Sequence, residues 1–289
     1  MLSELAKIPS ITKAEIREGI RRAGLLNAAV CAHCSLQSFG HVTGGADAVV
    51  DAFLEEGCTV MAPSFSWGFG VPMPEGVRYR RNGWDSEKDI SPTAGVGRIY
   101  TPATTEIEKE MGALPAAIVC RAGRARGMHP LSSFTALGSL AEKLVASQRF
   151  DHVFAPLEML AKSGGYVVLM GLNLRRMTLI HLAEKIAGRR LFRRWANDAD
   201  GRVVEMEVGG HSRGFEALRP HLKRMRTKMV GESLWTIAPA QEALDEAVEA
   251  IRRNPGITHC EYPDCVQCND LIAGGPVPEI QGRNTDERR

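Results

Sequence analysis

Residues 28–63, AAVCAHCSLQSFGHVTGGADAVVDAFLEEGCTVMAP, decide the fold class. The apolar run 28–32 reads as a buried strand and the polar, glycine-containing segment 33–43 as a loop. Residues 44–56 place Ala48, Val49, Ala52 and Phe53 at helical spacing, and 58–62 (CTVMA) is a second strand that Pro63 ends. Strand, helix and strand in that order make a βαβ unit, whose two strands run parallel through a right-handed crossover.

The pattern continues on both sides. Residues 13–23 alternate charged and apolar positions at helical spacing, with Thr12 as the cap. Residues 64–94 are rich in Gly, Pro, Trp and Arg with no sustained period, and an ordered loop region of that length inside a domain carries function. The spacing predicts a helix over 103–111, a strand at 117–120, a basic turn at 121–127 (RAGRARG), and helices at 137–146 and 156–162. Gly164 and Gly165 then break into 166–170, the most apolar strand candidate of the chain, and a helix over 178–187 follows at once. From 191 to 208 the pattern turns to strands joined by a hairpin at 197–201 (NDADG), and helices at 215–225 and 239–253 close the fold. The class is α/β with an α+β C-terminal portion appended, in a single domain over 1–276 with a polar tail over 277–289.

A chain of 289 residues that is 44% hydrophobic can bury one sizeable core or two modest ones. Its 36 Lys and Arg nearly cancel its 34 Asp and Glu, which argues against nucleic acid or an acidic membrane surface as partner. The N-terminal residues MLSELAKIPSITKAEIREGI do not read as a signal peptide. Nowhere do about 18 apolar residues follow one another, so a cytoplasmic location without membrane spans is expected. Seven irregularly spaced cysteines suit reduced thiols or a metal site better than a disulfide framework.

Four pieces of the chain, in order, carry a resemblance. They are HCSLQSFGHVTGGADAVVDAF at 33–53, Ser91-Pro92 with Gly95 to Gly97, HPLSSFTALG at 129–138 and VVLMGLNLRRMTLIHLAE at 167–184. Together they resemble the aminoglycoside 3-N-acetyltransferases, the antibiotic-NAT family, over roughly 26–184 and more loosely to 276. The resemblance implies a layered α/β/α fold on a mixed sheet. It also implies an acetyl-coenzyme A dependent enzyme that acetylates an amine of an aminoglycoside or related small molecule, with self-association into a homodimer left open.

Acetyl transfer to an amine needs a base, because an ordinary amine is protonated near neutral pH, and histidine suits that task. In TLIHLAE, Thr178, His181 and Glu184 lie three residues apart and share one helix face. Glu184 can hold the imidazole in one tautomer, and Thr178 at the helix start can donate its hydroxyl to an oxyanion. A histidine between Ile180 and Leu182 is, on spacing alone, more often a packed residue bonded to a neighbour. Its place directly after a buried strand favours function, and the resemblance assigns the family's catalytic histidine to His181.

Thr43-Gly44-Gly45 opens a helix with free backbone N–H groups, a cradle for a phosphate or simply a tight turn. The resemblance implies coenzyme contacts from Ser35, Leu36, Val42, Thr43, Gly44 and Gly45, and from the second block at His129, Ser132, Ser133 and Phe134. His33 ends its strand facing the same cleft, either as a second polar group near the thioester or as a satisfied core histidine. Arg121, Arg124 and Arg126 read as a solvated basic turn in preference to a phosphate site. A cysteine nucleophile paired with His181 is a different enzyme class, for which Cys34 is the candidate.

His259-Cys260 with Cys265 and Cys268 places three thiols and an imidazole within ten residues. Three Cys and one His are a recognised structural zinc set, but adjacent His259 and Cys260 bind one ion only with strain. A fourth ligand from elsewhere, a partly open site and free thiols all fit the spacing. Aminoglycosides are polycations, yet the loop expected on the acceptor side mixes Arg78, Arg80, Arg81 and Arg98 with Asp85, Glu87 and Asp89. A biosynthetic amine acceptor, or a coenzyme-binding protein without turnover, stands as the alternative.

Overall fold

The computed structural model describes residues 10–83 and 95–279. Helix α1 (Lys13–Arg22) begins on a capping box, in which the Thr12 hydroxyl accepts from the Glu15 amide and the Glu15 carboxylate accepts from the Thr12 amide. Strand β1 (Ala29–Cys34), helix α2 (Gly45–Glu55) and strand β2 (Thr59–Pro63) follow. The two strands pair in parallel with Ala29 opposite Thr59 and Cys31 opposite Met61, which is the predicted crossover unit. Helix α3 (Ala113–Val119), strands β3 (Ala125–Arg126) and β4 (Phe134–Leu137), helices α4 (Ala141–Val145) and α5 (Ala155–Lys162), and strand β5 (Tyr166–Met170) come next. Helix α6 (Leu179–Ile186), the hairpin β6 (Phe192–Asn197) and β7 (Val203–Val208), the hairpin β8 (Arg226–Val230) and β9 (Ser233–Pro239), and helices α7 (Ala240–Arg253) and α8 (Val266–Ile272) complete the chain.

The main sheet has seven strands in the order β8-β9-β5-β1-β2-β4-β3. Its centre, β5-β1-β2, is parallel, and β9 and β4 join antiparallel on either side. Side chains alternate faces along each strand. Val30, Ala32, Val60, Ala62, Val168, Met170, Trp235 and Ile237 bury against Ile16, Ile20, Phe53 and Ile118 of α1 to α3. Cys31, Met61, Val167, Leu169 and Ala238 bury on the other face against Leu144, Leu157, Leu182 and Leu244 of α4 to α7. The result is the expected layered α/β/α arrangement on a mixed sheet. Among the described residues no helix is long and apolar enough to cross a membrane.

Several local expectations give way to the structure. The strand expected at 117–120 is the end of α3, because the apolar run ALPAAIV winds from Gly112 with Pro115 in its first turn, where proline is tolerated. The helix expected over 103–111 is only a short 3-10 turn at Lys109–Met111. The helix expected over 215–225 is a 3-10 stretch, Arg213–His221, with Pro220 inside it. The C-terminal portion is not simply appended: β6 and β7 form a small sheet with Gly70–Val71, while β8 and β9 belong to the main sheet. The tail is held as far as Glu279, since Val277 and Pro278 pair with Arg80 and Tyr79. Ser91, Pro92, Asp85, Glu87, Asp89 and residues 280–289 lie outside the described residues.

Candidate active site

Where three parallel strands end together, the fold leaves a crevice at their carboxyl ends, and that is where open α/β sheets place ligands. A cleft of about 480 Å³ lies there. It is lined by Ala32, His33, Cys34 and Ser35 from the end of β1, by Pro63 and Phe65 from the end of β2, and by Leu172 just beyond β5. Thr178 and His181 at the start of α6 close one side, Gly210 and Ser212 another.

His181 is held on every side. Its Nδ1 lies 3.0 Å from Glu184 Oε2, one helical turn on, and because a carboxylate only accepts, Nδ1 is the donor of this bond. Phe154 stacks parallel to the imidazole at 5.9 Å between centroids and Phe215 meets it edge-on at 4.7 Å. The backbone of Gly209 lies so close that a Cβ there would sit 3.0 Å from His181 Cδ2 and 3.3 Å from Nε2.

Glu184 is 1% exposed, and a carboxylate so deep needs partners. Its Oε1 pairs with the Arg189 guanidinium and accepts from the Thr258 hydroxyl at 3.0 Å, while its Oε2 serves the imidazole. Arg189 is buried too, and also donates to Thr258 Oγ1 at 2.7 Å and to the Pro255 carbonyl. Three side chains form a line, Arg189 to Glu184 to His181, that ends at the cleft. Sequence reading found its middle, which lies on one helix, but missed Arg189, Thr258 and Gly209.

The other expected residues separate into two groups. Thr178 lines the cleft at the N-cap of α6 and its hydroxyl makes no capping bond. His33 also lines the cleft; burial, and secondarily the charge of Arg176, push its pKa down to about 4, so it is neutral near pH 7. Ser35 belongs to the cleft as well, and Leu36, Val42, Gly44 and Gly45 line an adjoining cavity of about 370 Å³ with Gln37, Gly40 and His41. Gly44 and Gly45 both have positive φ, 87° and 62°, a conformation that glycine adopts without strain. A Cβ on Gly45 would meet nothing within 4 Å, so its backbone is open. Thr43 is exposed beside these, its amide donating to the Ile11 carbonyl.

His129, Ser132, Ser133 and Phe134 are not brought to either cavity. His129 is fully buried, donating from Nε2 to the Glu207 carbonyl at 2.8 Å and accepting at Nδ1 from the amides of Leu131 and Ser132. Ser133 donates to the Ser64 carbonyl and Phe134 is a core side chain. The solvated basic turn is also corrected at Arg126. Burial lowers its pKa, and its guanidinium spends its donors on Ser133 Oγ and on the carbonyls of Ser64, Thr104 and Glu106. It therefore fixes the segment for which a helix was expected. Arg121 pairs with Asp47 and Asp51, and Arg124 donates to the Ala103 carbonyl.

The arginines read as acceptor-side are elsewhere too. Arg98 pairs with Glu106 over the Phe69 ring, Arg80 faces Glu279 and Arg81 donates to the Ala273 carbonyl. The charged side chains lining the cleft among the described residues are Glu110, Arg175 and Arg176 beside His33 and His181. Cys34 lines the cleft, but burial pushes its thiol up to about 12.

Behind Gly210, the Cys260, Cys265 and Cys268 thiols come together with an imidazole, and the partner is His211. His259 turns away, with Nε2 at 2.9 Å from Asn269 Oδ1 and Nδ1 on the Cys260 carbonyl.

A family model described as aminoglycoside 3-N-acetyltransferase matches residues 31–252. Aminoglycoside N(3)-acetyltransferase IX of Micromonospora chalcea is 30% identical over 184 residues, which is 61% of this chain and 63% of that protein. The match thus spans about three fifths of that relative's length. The apoenzyme crystal structure of aminoglycoside acetyltransferase AAC(3)-IVa superposes with a TM-score of 0.74 at 19% identity, covering 93% of this chain and 99% of that one. AAC-IIIb, solved as a binary complex with coenzyme A, superposes with a TM-score of 0.69 at 20% identity, over 84% of this chain and 97% of that one.

Proposed function

This chain belongs to the aminoglycoside 3-N-acetyltransferase family, and from that premise we propose that it transfers the acetyl group of acetyl-coenzyme A to a small-molecule amine, with His181 as general base. The observation that carries the reading is the line from Arg189 through Glu184 to His181, ending at a cleft on the carboxyl ends of β1, β2 and β5. An imidazole whose Nδ1–H is fixed on a carboxylate offers Nε2 as a base, and the imidazolium formed is stabilised by that carboxylate.

The acceptor amine gives its proton to Nε2, its nitrogen bonds to the thioester carbon, and the collapsing tetrahedral intermediate breaks the C–S bond. The proton then passes to the departing coenzyme A thiolate, so nothing is left on the protein. The oxyanion is met by the Thr178 hydroxyl at the N-terminus of α6, where the helix dipole favours negative charge. His33, held neutral, serves as a second polar group beside the thioester. The loop 35–45 would carry the coenzyme from the smaller cavity into the cleft, its anionic groups against the open backbone at Gly44 and Gly45.

Glycine at 209 lets the backbone lie against the ring. Gly209→Ala is expected to shift the imidazole by a few tenths of an ångström and lower kcat more than it raises KM. Steady-state kinetics with a thermal melt check this, and an unchanged kcat in a normally folded variant would contradict it.

The thiol route requires an ionised Cys34, which its burial opposes. Cys34→Ala is expected to keep the wild-type transfer rate, whereas abolished transfer with intact folding would favour an acyl-enzyme. A second reading concerns the acceptor. Arg175 and Arg176 against Glu110 favour an amine that also bears an anionic group over a polycation. Thiol release from acetyl-coenzyme A, screened with aminoglycosides and with amino acids or amino sugar acids, on wild type and His181→Ala together, decides between these. Release no faster than hydrolysis with every acceptor would leave a coenzyme-binding protein without turnover.

A further inference from the structure

We infer that His211, Cys260, Cys265 and Cys268 hold one structural zinc ion, and that this ion braces the cleft wall made by residues 209–212. The four donor atoms all lie within 4.8 Å of one another. His211 Nδ1 is 3.3 Å from Cys265 Sγ and 3.6 Å from Cys268 Sγ. A tetrahedral zinc with Zn–S near 2.3 Å and Zn–N near 2.0 Å sets its ligand atoms roughly 3.5–3.8 Å apart, so these separations are edges of a zinc tetrahedron already drawn together. Three thiolates and an imidazole also select zinc over the hard cations, which prefer oxygen.

The donors come from separate pieces of chain. Cys265 is the N-cap of α8 and Cys268 sits in its first turn, Cys260 precedes that helix by a loop, and His211 arrives from beyond β7. No spacing rule over 259–268 can supply His211, since it lies 49 residues before Cys260 in the sequence. The adjacent His259 is engaged with Asn269.

The cluster is set directly behind the site. Gly209 lies against the His181 ring, and Gly210 and Ser212 line the cleft on either side of His211. Gly210 itself is pressed between α8 and β6, where a Cβ would come within 2.4 Å of Leu271 Cδ1 and 2.9 Å of Phe192 Cε2. A segment with two glycines and no regular hydrogen-bonded partner strand has few means of holding its shape, and a metal bond at its centre supplies one. His211 is thus a positioning residue acting through Gly209. This bracing half of the inference rests on the acyl-transfer reading of the cleft; the metal half does not.

The test begins with metal analysis of the full chain purified without a nickel column or chelator. One zinc per chain is expected, released by an organomercurial into a metallochromic indicator. Cobalt exchanged into the site is expected to give the visible ligand-field bands of a tetrahedral thiolate complex. His211→Ala and Cys265→Ser are expected to lose the metal, and His211→Cys to retain it. Substoichiometric zinc after equilibration with zinc chloride, with all three thiols titrating freely or found as a disulfide, would overturn the site. So would stoichiometric zinc that survives both losses of ligand. Should a variant fail to fold, the wild-type stoichiometry and the cobalt spectrum still decide. For the bracing, His211→Ala is expected to lose about tenfold in kcat/KM, mainly in kcat, with recovery in His211→Cys. A metal-free variant with wild-type kcat would overturn the bracing and leave the metal standing, and a chain without transfer to any amine would leave the metal result intact.

Discussion

Replacing His181 by alanine is expected to lower kcat by about 10²–10⁴-fold, the range that a positioned general base supplies. KM for acetyl-coenzyme A should change little, because the base proposed here acts on the acceptor's proton and not on the coenzyme. Steady-state thiol-release assays at varied acetyl-coenzyme A measure both effects. A variant that folds normally and retains wild-type kcat would remove His181 from the chemistry, and with it the reading of Glu184 and Arg189 as its support.

The second large effect is on stability. Arg189→Met leaves the Glu184 carboxylate, 1% exposed, without its counter-charge. Breaking one side of a buried pair costs about 3–5 kcal/mol, which for a chain of this size is ~10 °C in Tm. The double variant Glu184→Gln with Arg189→Met removes both charges and is expected to recover part of that loss, because the neutral amide can still bond to His181 and Thr258. Differential scanning calorimetry on wild type, both single variants and the double variant closes the cycle. Additive losses would mean that the two groups do not depend on each other.

How much of this was legible depended on distance along the chain. The βαβ unit at 28–63 and the strand 166–170 were readable because each is a local pattern bounded by glycine or proline. The strand read at 117–120 turns out to be the end of the helical run ALPAAIV (113–119), because a short, continuous apolar stretch looks alike as strand or buried helix. The hairpin Arg226–Pro239 went unassigned: its strand β8 exposes Thr227, Lys228 and Met229, so its polar edge hides the pairing with a buried neighbour. In the site, His181 and Glu184 stand three residues apart on one helix and could be paired on paper. Gly209, Thr258 and the histidine of the cysteine cluster approach only through the fold, and a single sequence carries no mark of such meetings. His129 shows the converse. A histidine in a matching motif was read as a coenzyme contact, yet all its hydrogen bonds are spent inside the protein.

The two oxygens of Glu184 look in opposite directions along the chain. One holds the imidazole, and the other holds Arg189 and Thr258, the latter six residues past the last position that the family model matches. The boundary of recognisable kinship and the boundary of the working apparatus therefore do not coincide. A chimera or trimmed fragment cut at residue 252 would keep the whole matched stretch and still lose Thr258 and the Pro255 carbonyl, which hold Glu184 and Arg189, so grafting this centre onto another scaffold has to carry the segment through 258 along with it.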